Sequence, residues 1–236
     1  MKIQAIKTGV FKANESLIDF ITKNIKKIND GDIIVITSKI AALAEGRVMR
    51  IDDENQRVKV IKAESQYAMK TKYTWLTIKD NTVMSSAGLD RSNANGMTIL
   101  LPKDSYKTAH QIRKYLIAKH RLTKLGVLIT DSRYLPLRAG IVGVSLGYAG
   151  FKGVRNYIGK KDIFGRIIKY SRVDVADSLA MGAVLCMGEV AEQRPLALIS
   201  GAEVLFTDKI NKHELDIDVK EDLYQPLFEK IKQINF

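Results

Sequence analysis

The sequence predicts an α+β fold in which mixed and antiparallel sheets pack against helices. Strand-like apolar runs and amphipathic helical segments do not alternate strictly, and two of the runs form a hairpin. The composition is that of an ordinary globular protein, with 46% hydrophobic and 27% charged residues. At 236 residues the chain has ample length for a core. We therefore treat residues 1–236 as a single domain and expect any subdomains to lie within it.

The first predicted elements are a strand, a helix and a second strand. Lys2–Lys7 alternates weakly as a strand, and a helix capped by Asn14 ends at the turn that contains Gly31. Residues 32–37, DIIVIT, form a buried strand. At its end, Ser38-Lys39 could present a hydroxyl and an ammonium group to phosphates, although a lysine in this position is usually just exposed.

The middle of the chain predicts a hairpin that leads into a polar loop. Residues 58–72 favour a helix, and the strands 73–79 and 82–86 are joined by a tight turn. The second of these strands runs into a loop with Asp90 and, three residues later, Asn93. Asp90 is therefore a carboxylate just past the end of a strand.

A second carboxylate follows another buried strand, Leu125–Ile129. Asp131 and Ser132 come next, and we expect a loop with Arg133 and Arg138 after them. A carboxylate and a hydroxyl are hard oxygen donors for a cation, and the arginines could hold an anion against that cation. The alternative is that Asp131 and Ser132 merely form an Asx-type turn.

The remaining predicted elements complete the α+β pattern. They are a strand at Thr98–Leu101, a helix capped by Ser105 that runs to about His120, a small-residue strand at Gly140–Gly150, a helix capped by Asp174 that runs through Cys186 and ends at Gly188, a loop at Glu189–Arg194, a strand at Leu196–Ile199 and a helix from about Asp222 to Gln233.

Charge and cysteine content narrow the classes of partner. The net charge of +12 and the pI near 9.6 favour anionic partners such as nucleotides or polycarboxylates. The lysines are spread along the chain without an aromatic-plus-basic pattern, which argues against nucleic acid. Cys186 is the only cysteine, so neither an internal disulfide nor a Cys-cluster zinc site can form. With no apolar run long enough for a bilayer and no signal-peptide core, we expect a cytoplasmic protein.

Common catalytic motifs are absent, and a set of oxygen donors remains. There is no GxxxxGK[ST] loop and no strand–GxGxxG–helix unit. Gly143–Gly147 matches GxSxG literally, but the only later histidine, His213, lies in a polar tail, so a serine hydrolase is disfavoured. The remaining donors each follow an element end and suit Mg²⁺ or Mn²⁺; they are Asp90, Asp131, Ser132 and possibly Glu189.

Six blocks of sequence resemble the coenzyme F-420:gamma-glutamyl ligase family, in the order of that family and over most of the chain. They are GDIIVITSKIAALAEGRV from Gly31, SAGLDRSN from Ser86, GVLITDS from Gly126, RAGIVGVSLGYAGFKGVRNYIGKKDIFGR from Arg138, VADSLAMGAVLCMGE from Val175 and RPLALISG from Arg194.

The resemblance implies an enzyme that uses GTP, or ATP, to phosphorylate a substrate carboxylate. The amine of L-glutamate then attacks the acyl phosphate. The acceptor would be an anionic small molecule, coenzyme F-420-0. The resemblance also implies two interwoven subdomains and an intertwined homodimer.

The implied site residues fall into three groups. The metal ligands for Mg²⁺ or Mn²⁺ would be Asp90, Asp131, Ser132 and Glu189. The nucleotide would be lined by Val10, Phe11, Lys12, Ala13, Ser38, Lys39, Asn93, Met187, Gly188, Glu189, Val190, Ala191, Glu192, Gln193 and Arg194. Because both reacting anions must be screened, the cations Lys39, Arg138 and Arg166 are candidates for that role, and we predict that catalysis involves Lys39, Asp131 and Arg138.

Two departures from the family pattern leave alternatives open. Ala42-Leu43 stands where the family usually has Ser-Lys, so a lysine expected at the phosphates is missing. The segment 52–72 is shorter than the insertion that helps to shape the substrate side in the family. Folate is therefore an alternative acceptor. A binding protein that has lost catalysis is the alternative from another class.

Overall fold

The computed structural model describes residues 1–228 and has the predicted α+β class. Its strands are β1 (Lys2–Ile6), β2 (Asp32–Thr37), β3 (Val48–Met49), β4 (Tyr67–Lys70), β5 (Trp75–Lys79), β6 (Thr82–Ser85), β7 (Thr98–Ile99), β8 (Leu125–Tyr134), β9 (Ile141–Ala149), β10 (Val154–Asn156), β11 (Arg172–Asp174) and β12 (Leu196–Ser200). The described α-helices are α1 (Leu17–Asn24), α2 (Ser38–Ala44), α3 (Glu54–Ala63), α4 (Ser105–His120), α5 (Val175–Met187) and α6 (Gln225–Phe228).

The chain divides into two compact units. Unit 1 comprises residues 1–46 and 102–214, and unit 2 comprises residues 47–101 together with the chain from residue 215. Unit 2 is thus largely an insertion between α2 and α4 of unit 1. Across the described residues, no helix is long and apolar enough to cross a membrane.

Unit 1 is built on a five-stranded mixed sheet with the strand order β1-β12-β2-β8-β9. Strands β2 and β8 pair in parallel, with Thr37 opposite Thr130, and the other pairs are antiparallel. Ile6 lies opposite Leu196, so β1 ends where β12 begins. As a result, β1, β2 and β8 all end at the same edge of the sheet, which we call the site end.

Helices cover both faces of this sheet. On one face a core cluster joins Ile34 of β2 and Ile129 of β8 to Ile21 of α1, Ile40 of α2 and Leu116 of α4. All five side chains are buried, and each contributes roughly 1.5–3 kcal/mol to folding. Helix α5 contacts the strands β9, β8, β1 and β12 and covers the other face of the sheet.

The small residues of β9 allow close helix packing, as predicted. The ladder between β8 and β9 shifts register between Ile129 and Thr130, which leaves Leu146 as an extra residue in β9. A Cβ at Gly143 would lie 2.5 Å from the Ala180 carbonyl oxygen of α5. One at Gly147 would lie 2.6 Å from the backbone nitrogen of Tyr106 in α4. Because both glycines lie within a strand, they do not form the strand-to-helix turn of a hydrolase nucleophile.

Unit 2 contains the predicted hairpin within a three-stranded sheet ordered β4-β5-β6. The helix predicted at 58–72 is wrong in its boundaries. Helix α3 begins earlier because the side chain of Asp53 caps it, accepting from the Gln56 backbone N–H at 2.8 Å. It ends earlier because residues 67–70 pair with β5 as strand β4.

Several further boundaries differ from the sequence predictions. Helix α1 is capped by Ser16, whereas Asn14 lies in a left-handed turn with φ of 63°. A helix, α2, begins directly at Ser38, and Asp104 caps α4 in place of Ser105. The cap of α5 by Asp174 and its end at Gly188 are confirmed. The tail helix predicted from about Asp222 to Gln233 overlaps α6, which begins later, at Gln225, and the part of the prediction after Phe228 lies outside the described residues.

Candidate functional site

The site end of the unit 1 sheet collects the segments that the sequence predicts to bind nucleotide. Residues 10–13 follow β1, Ser38-Lys39 follows β2, and the segment 187–194 precedes β12. Two backbone bonds join them: Thr8 N–H donates to the Gln193 carbonyl at 2.9 Å, and Thr37 N–H donates to the Pro195 carbonyl at 3.0 Å. The sheet order therefore brings together three of the distant parts of the chain.

Ser38 and Asp131 contact each other at this end. The parallel register that pairs Thr37 with Thr130 places the next residues side by side. The Ser38 hydroxyl, which is buried, donates to Asp131 Oδ1 at 3.0 Å across 93 residues of sequence. This contact fixes one oxygen of the carboxylate that was predicted to bind metal.

Arg133 fixes the other oxygen of Asp131, and its position corrects the predicted loop. Strand β8 continues to Tyr134, so Asp131, Ser132 and Arg133 all lie within a strand and the Asx-turn alternative is wrong. Residues two apart in a strand project to the same face, which places the Arg133 guanidinium on Asp131. Its Nη1 donates to Asp131 Oδ2 and, at 3.1 Å, to the Ser132 carbonyl. The Arg133 side chain is only 5% exposed.

Ser132 and Glu189 form a second pair. The Ser132 hydroxyl donates to Glu189 Oε1 at 2.7 Å, and Glu189 stands two residues after the end of α5. Because successive residues of a strand project to opposite faces, Ser132 points toward the α5 side and Asp131 toward the α2 side. Of the four predicted metal ligands, only Ser132 and Glu189 contact each other, whereas the Asp131 side chain projects to the other face of the sheet with Ser38 and Arg133 as its partners.

The predicted nucleotide-lining residues differ in exposure. Val10, Lys12 and Ala13 are exposed, but Phe11 is buried and packs edge-on against Phe20 with ring centroids 4.9 Å apart. The Phe11 side chain therefore belongs to the core, and its backbone is what this segment can offer a ligand.

The segment before β12 is exposed from Gly188 to Arg194, whereas Met187 is buried. The Val190 N–H donates to Glu192 Oε2 at 2.8 Å. Backbone hydrogen bonds, from Glu192 itself and then from Val190, hold the pKa of the Glu192 carboxyl below its usual value. Arg194 Nη1 donates to the Cys186 carbonyl at 3.3 Å, which ties this loop back to α5.

The predicted cations occupy different settings. Lys39 is half-buried in the first turn of α2, and Arg138 is exposed in the loop between β8 and β9. Arg166 is exposed in the connection between β10 and β11. Leu43, at the position of the missing lysine, packs against the core cluster of unit 1.

Asp90 and Asn93 belong to unit 2. The turn before Asp90 has three consecutive left-handed residues, Ser86, Ala87 and Gly88, with φ of 49°, 53° and 75°. After the turn, Asp90 bridges to Ile99 through two backbone bonds of 2.9 and 2.8 Å. Such backbone strain costs free energy and persists only where the surroundings enforce it.

Hydrogen bonds with side chains of unit 2 stabilise this turn. Arg57 Nη2 donates to the Ser86 hydroxyl at 3.0 Å, and the hydroxyls of Thr74 and Ser86 share a bond of 2.8 Å. The backbone N–H of Ala87 donates to Thr77 Oγ1 at 2.8 Å. The carboxylate of Asp90 accepts from the backbone and side chain of Ser92 at 2.7 and 3.0 Å.

The donors in unit 1 suit a hard divalent cation. Among residues 1–228 there is no group of three or more His, Cys, Asp or Glu side chains arranged to hold a metal. The carboxylates of Asp131 and Glu189 and the hydroxyl of Ser132 are nevertheless the oxygen donors that Mg²⁺ or Mn²⁺ prefers. An ionised carboxylate accepts at about four positions, so Asp131 keeps capacity beyond its bonds to Ser38 and Arg133.

The sequence predictions missed two features of this region. Arg133 was expected in a loop, and continuing the period of two from Asp131 would have placed it on the same face. Asp177 of α5 was not singled out. It accepts from the Ser145 N–H at 2.7 Å, and burial, followed by repulsion from Asp174, raises its pKa to about 6.

Comparison with known proteins defines the class of this chain. The Coenzyme F420:L-glutamate ligase of Methanocaldococcus jannaschii is 34% identical over 197 residues, which cover 76% of this chain and 79% of that protein. The protein of the same name from Archaeoglobus fulgidus is 30% identical over 215 residues, covering 83% and 85%. The protein of that name from Methanococcus maripaludis strain C7 is 31% identical over 245 residues, which cover 95% of this chain and 97% of that protein. The chain is therefore a ligase that forms a C–N bond.

The family can be named as well. The family model described as F420-0:Gamma-glutamyl ligase matches residues 5–201, from the end of β1 through β12. The chain belongs to this family, and the resemblance seen in the sequence is confirmed.

Proposed function

We propose that this protein is a nucleoside triphosphate- and metal-dependent gamma-glutamyl ligase that adds L-glutamate to coenzyme F-420-0. The observation that carries the proposal is the convergence of three segments at the site end of the sheet, around the contact between Ser38 and Asp131. The names of the relatives support the acceptor and the amino acid.

The proposed reaction has two steps. A carboxylate oxygen of the acceptor attacks the terminal phosphorus of GTP or ATP, and the nucleoside diphosphate leaves. The amine of L-glutamate then attacks the acyl carbon, inorganic phosphate leaves, and the amine loses a proton as the amide forms. Water must be excluded while the acyl phosphate exists, because water hydrolyses it.

The predicted site residues would have distinct roles. The segments 10–13 and 187–194, with Ser38 and Lys39, would line the nucleotide at the site end, and Asn93 of unit 2 is proposed as a nucleotide-lining residue from the family resemblance alone. Lys39, Arg138 and Arg166 would screen the anions that must approach one another. Ser38 and Arg133 keep the Asp131 carboxylate oriented.

In unit 1, Asp131, Ser132 and Glu189 would hold Mg²⁺ or Mn²⁺, and Asp90 of unit 2 is proposed as a metal ligand from the family resemblance alone. When bound, the ion neutralises charge on the phosphates. Asp131 and Ser132 project to opposite faces of the strand, which supports two cation positions. One would be at Asp131, and the other would be at Ser132 and Glu189.

The protein would act as a homodimer. The connection between β10 and β11 carries large apolar side chains at the surface, with Ile163 92% and Phe164 90% exposed. Tyr170 in the same connection is 88% exposed. Several large exposed apolar side chains in one connection favour an interaction site, and a second copy of the chain is its proposed occupant. Light scattering after gel filtration tests this, and a monomer at micromolar concentration would contradict it.

A second candidate is a nucleotide- or anion-binding protein without turnover. It is favoured by Leu43, because an apolar side chain packed on the core cannot replace a lysine at phosphates. Folate is the second candidate acceptor within the ligase proposal, because it too ends in a glutamate.

One assay separates these candidates. The protein is incubated with L-glutamate, Mn²⁺ and either GTP or ATP, together with either coenzyme F-420-0 or folate. The mass of each acceptor is then measured by mass spectrometry. We expect one added glutamate or more on coenzyme F-420-0, only when nucleotide is present. Glutamate on folate alone would reassign the acceptor. No product with either acceptor, together with no nucleotide hydrolysis, would support the binding protein.

A further inference from the structure

The guanidinium of Arg133 has an unusual set of contacts. It is permanently charged and almost completely buried, and the contacts of its Nη1 are the carboxylate of Asp131 and the carbonyl of Ser132. Its Nε and Nη2 atoms are shielded from solvent and have no hydrogen-bond partner. Buried polar groups nearly always have partners, and an unsatisfied charged donor costs more than a neutral one.

The two unpartnered atoms lie on the same edge of the guanidinium plane. Their N–H groups point in parallel, which is the fork that binds two oxygens of a carboxylate or phosphate. Asp131 does not use this edge, because it is bonded to Nη1. The next residues, 134–140, are all exposed, so Arg133 borders a solvent-exposed loop in the sequence, and oxyanion binding requires a movement that opens the buried fork to solvent.

Charge balance then links two binding events at Asp131. Without ligands, Asp131 and Arg133 neutralise each other. A divalent cation on Asp131 would compete with the guanidinium and repel it, leaving a buried positive charge that only the weaker electrostatic interaction with Asp177 still offsets. An oxyanion on the free edge of Arg133 would supply a counter-ion.

We propose that Arg133 couples oxyanion binding to divalent cation binding at Asp131, so that each ligand raises the affinity of the site for the other. The ligand chemistry is a two-oxygen anion, either a phosphate or a carboxylate. The inference rests on the proposed function for the cation at Asp131 and adds a residue to which that proposal gave only an orienting role. Arg133 is a binding residue for the oxyanion and a positioning residue for Asp131.

The coupling is measured on the whole protein, without turnover. Free Mn²⁺ is followed by its paramagnetic resonance signal while the protein is titrated, first alone, then with inorganic phosphate, then with L-glutamate. Coupling free energies of this kind change affinity roughly 5- to 150-fold. We expect a Mn²⁺ affinity about tenfold higher with the effective anion, and the anion that produces the effect identifies the source of the oxyanion.

Variants assign the coupling to Arg133. In Arg133→Met the competitor for Asp131 is gone, so Mn²⁺ alone should bind severalfold more tightly while the anion effect disappears. A residue that only supports the structure would instead lose Mn²⁺ affinity. Arg121→Met, at an exposed position beyond α4, is the matched control and should behave as the wild type. If Arg133→Met does not fold, Arg133→Lys, which keeps the charge and loses the fork, should weaken the coupling.

The outcomes separate this inference from the proposed function. Equal Mn²⁺ affinity in the wild type with and without both anions overturns the coupling, whatever the variants do. So does unchanged coupling in Arg133→Met. If the protein lacks ligase activity but shows the coupling, only the proposed function is contradicted. If it is an active ligase without the coupling, only the role of Arg133 is contradicted.

Discussion

Asp131 in unit 1 and Asp90 in unit 2 are carboxylates of the same predicted role, held by opposite means. Asp131 lies inside a long strand, and its oxygens are held by Ser38, distant in sequence, and by the buried cation Arg133. Asp90 follows a strained left-handed turn, and its oxygens accept from Ser92, two residues away. The first carboxylate is positioned by charge and long-range pairing, and the second by the local shape of the backbone.

This difference predicts which kind of substitution disturbs the position of each carboxylate. Loss of a partner at Asp131 leaves a buried charge, which is costly, whereas Asp90 depends on backbone conformations that most side chains disfavour. Substitutions of charge should therefore disturb the first, and substitutions of glycine the second.

The largest effect is expected for Asp131→Ala. The variant removes the counter-ion of Arg133, so we expect a loss of about 3 kcal/mol in the free energy of unfolding, measured with urea, in addition to loss of turnover. Ser38→Ala, which removes only a hydroxyl, is the control and should cost about 1 kcal/mol. Equal costs for the two variants would show that the ion pair contributes little.

Gly88→Ala tests the backbone at Asp90. The residue has φ of +75°, and a Cβ would lie 2.5 Å from Leu101 Cγ, so we expect a loss of about 2–3 kcal/mol. Gly96 has φ of +79° with nothing within 4 Å of a Cβ, so Gly96→Ala carries the backbone strain alone and should cost about 1 kcal/mol. Thermal unfolding of both variants measures the difference. A smaller cost at Gly88 than at Gly96 would mean that the turn is not enforced by packing.

Asp177→Asn tests how far the charges around Asp131 reach, because Arg133 also lowers the pKa of Asp177 against the larger effect of burial. The folded-state pKa of about 6 lies above the usual 3.8, so the native state binds more protons between these values. The contribution of Asp177 to stability should therefore fall as the pH rises from about 4 to 6, and the asparagine variant should lose this contribution but keep that of Asp174, whose pKa burial also raises. Above pH 6 the variant should be more stable by about 1–2 kcal/mol, as measured by urea unfolding at several pH values.

The smallest effect on stability is expected for Ser132→Ala. The bond from Ser132 to Glu189 is at the surface, so its loss should cost less than about 0.5 kcal/mol. Mn²⁺ affinity, measured by calorimetry, should fall severalfold, because an oxygen donor is lost. Ser132→Thr keeps the hydroxyl and should retain the affinity. If alanine binds Mn²⁺ as well as serine does, Ser132 is not a ligand.

The sequence predicted most strands and the α+β class because apolar periodicity is a local signal. The run 32–37 and the helix from Asp174 to Gly188 are found where they were expected. The contact between Ser38 and Asp131 could be suspected only from the family resemblance, because it depends on a parallel register across 93 residues. The burial of Arg133 was missed because the apolar run stops at Ile129 while the ladder with β9 continues to Tyr134.

The way in which unit 2 is inserted has a consequence for how such proteins can vary. The chain leaves unit 1 after Gly46 and returns at Pro102, and Glu45 joins the two ends. Its carboxylate accepts from the Lys103 N–H at 2.7 Å and from the Thr108 hydroxyl at 2.8 Å. These two bonds lie within unit 1 and do not involve residues 47–101, so sequence changes in that segment can accumulate without removing the contacts that close the insertion point.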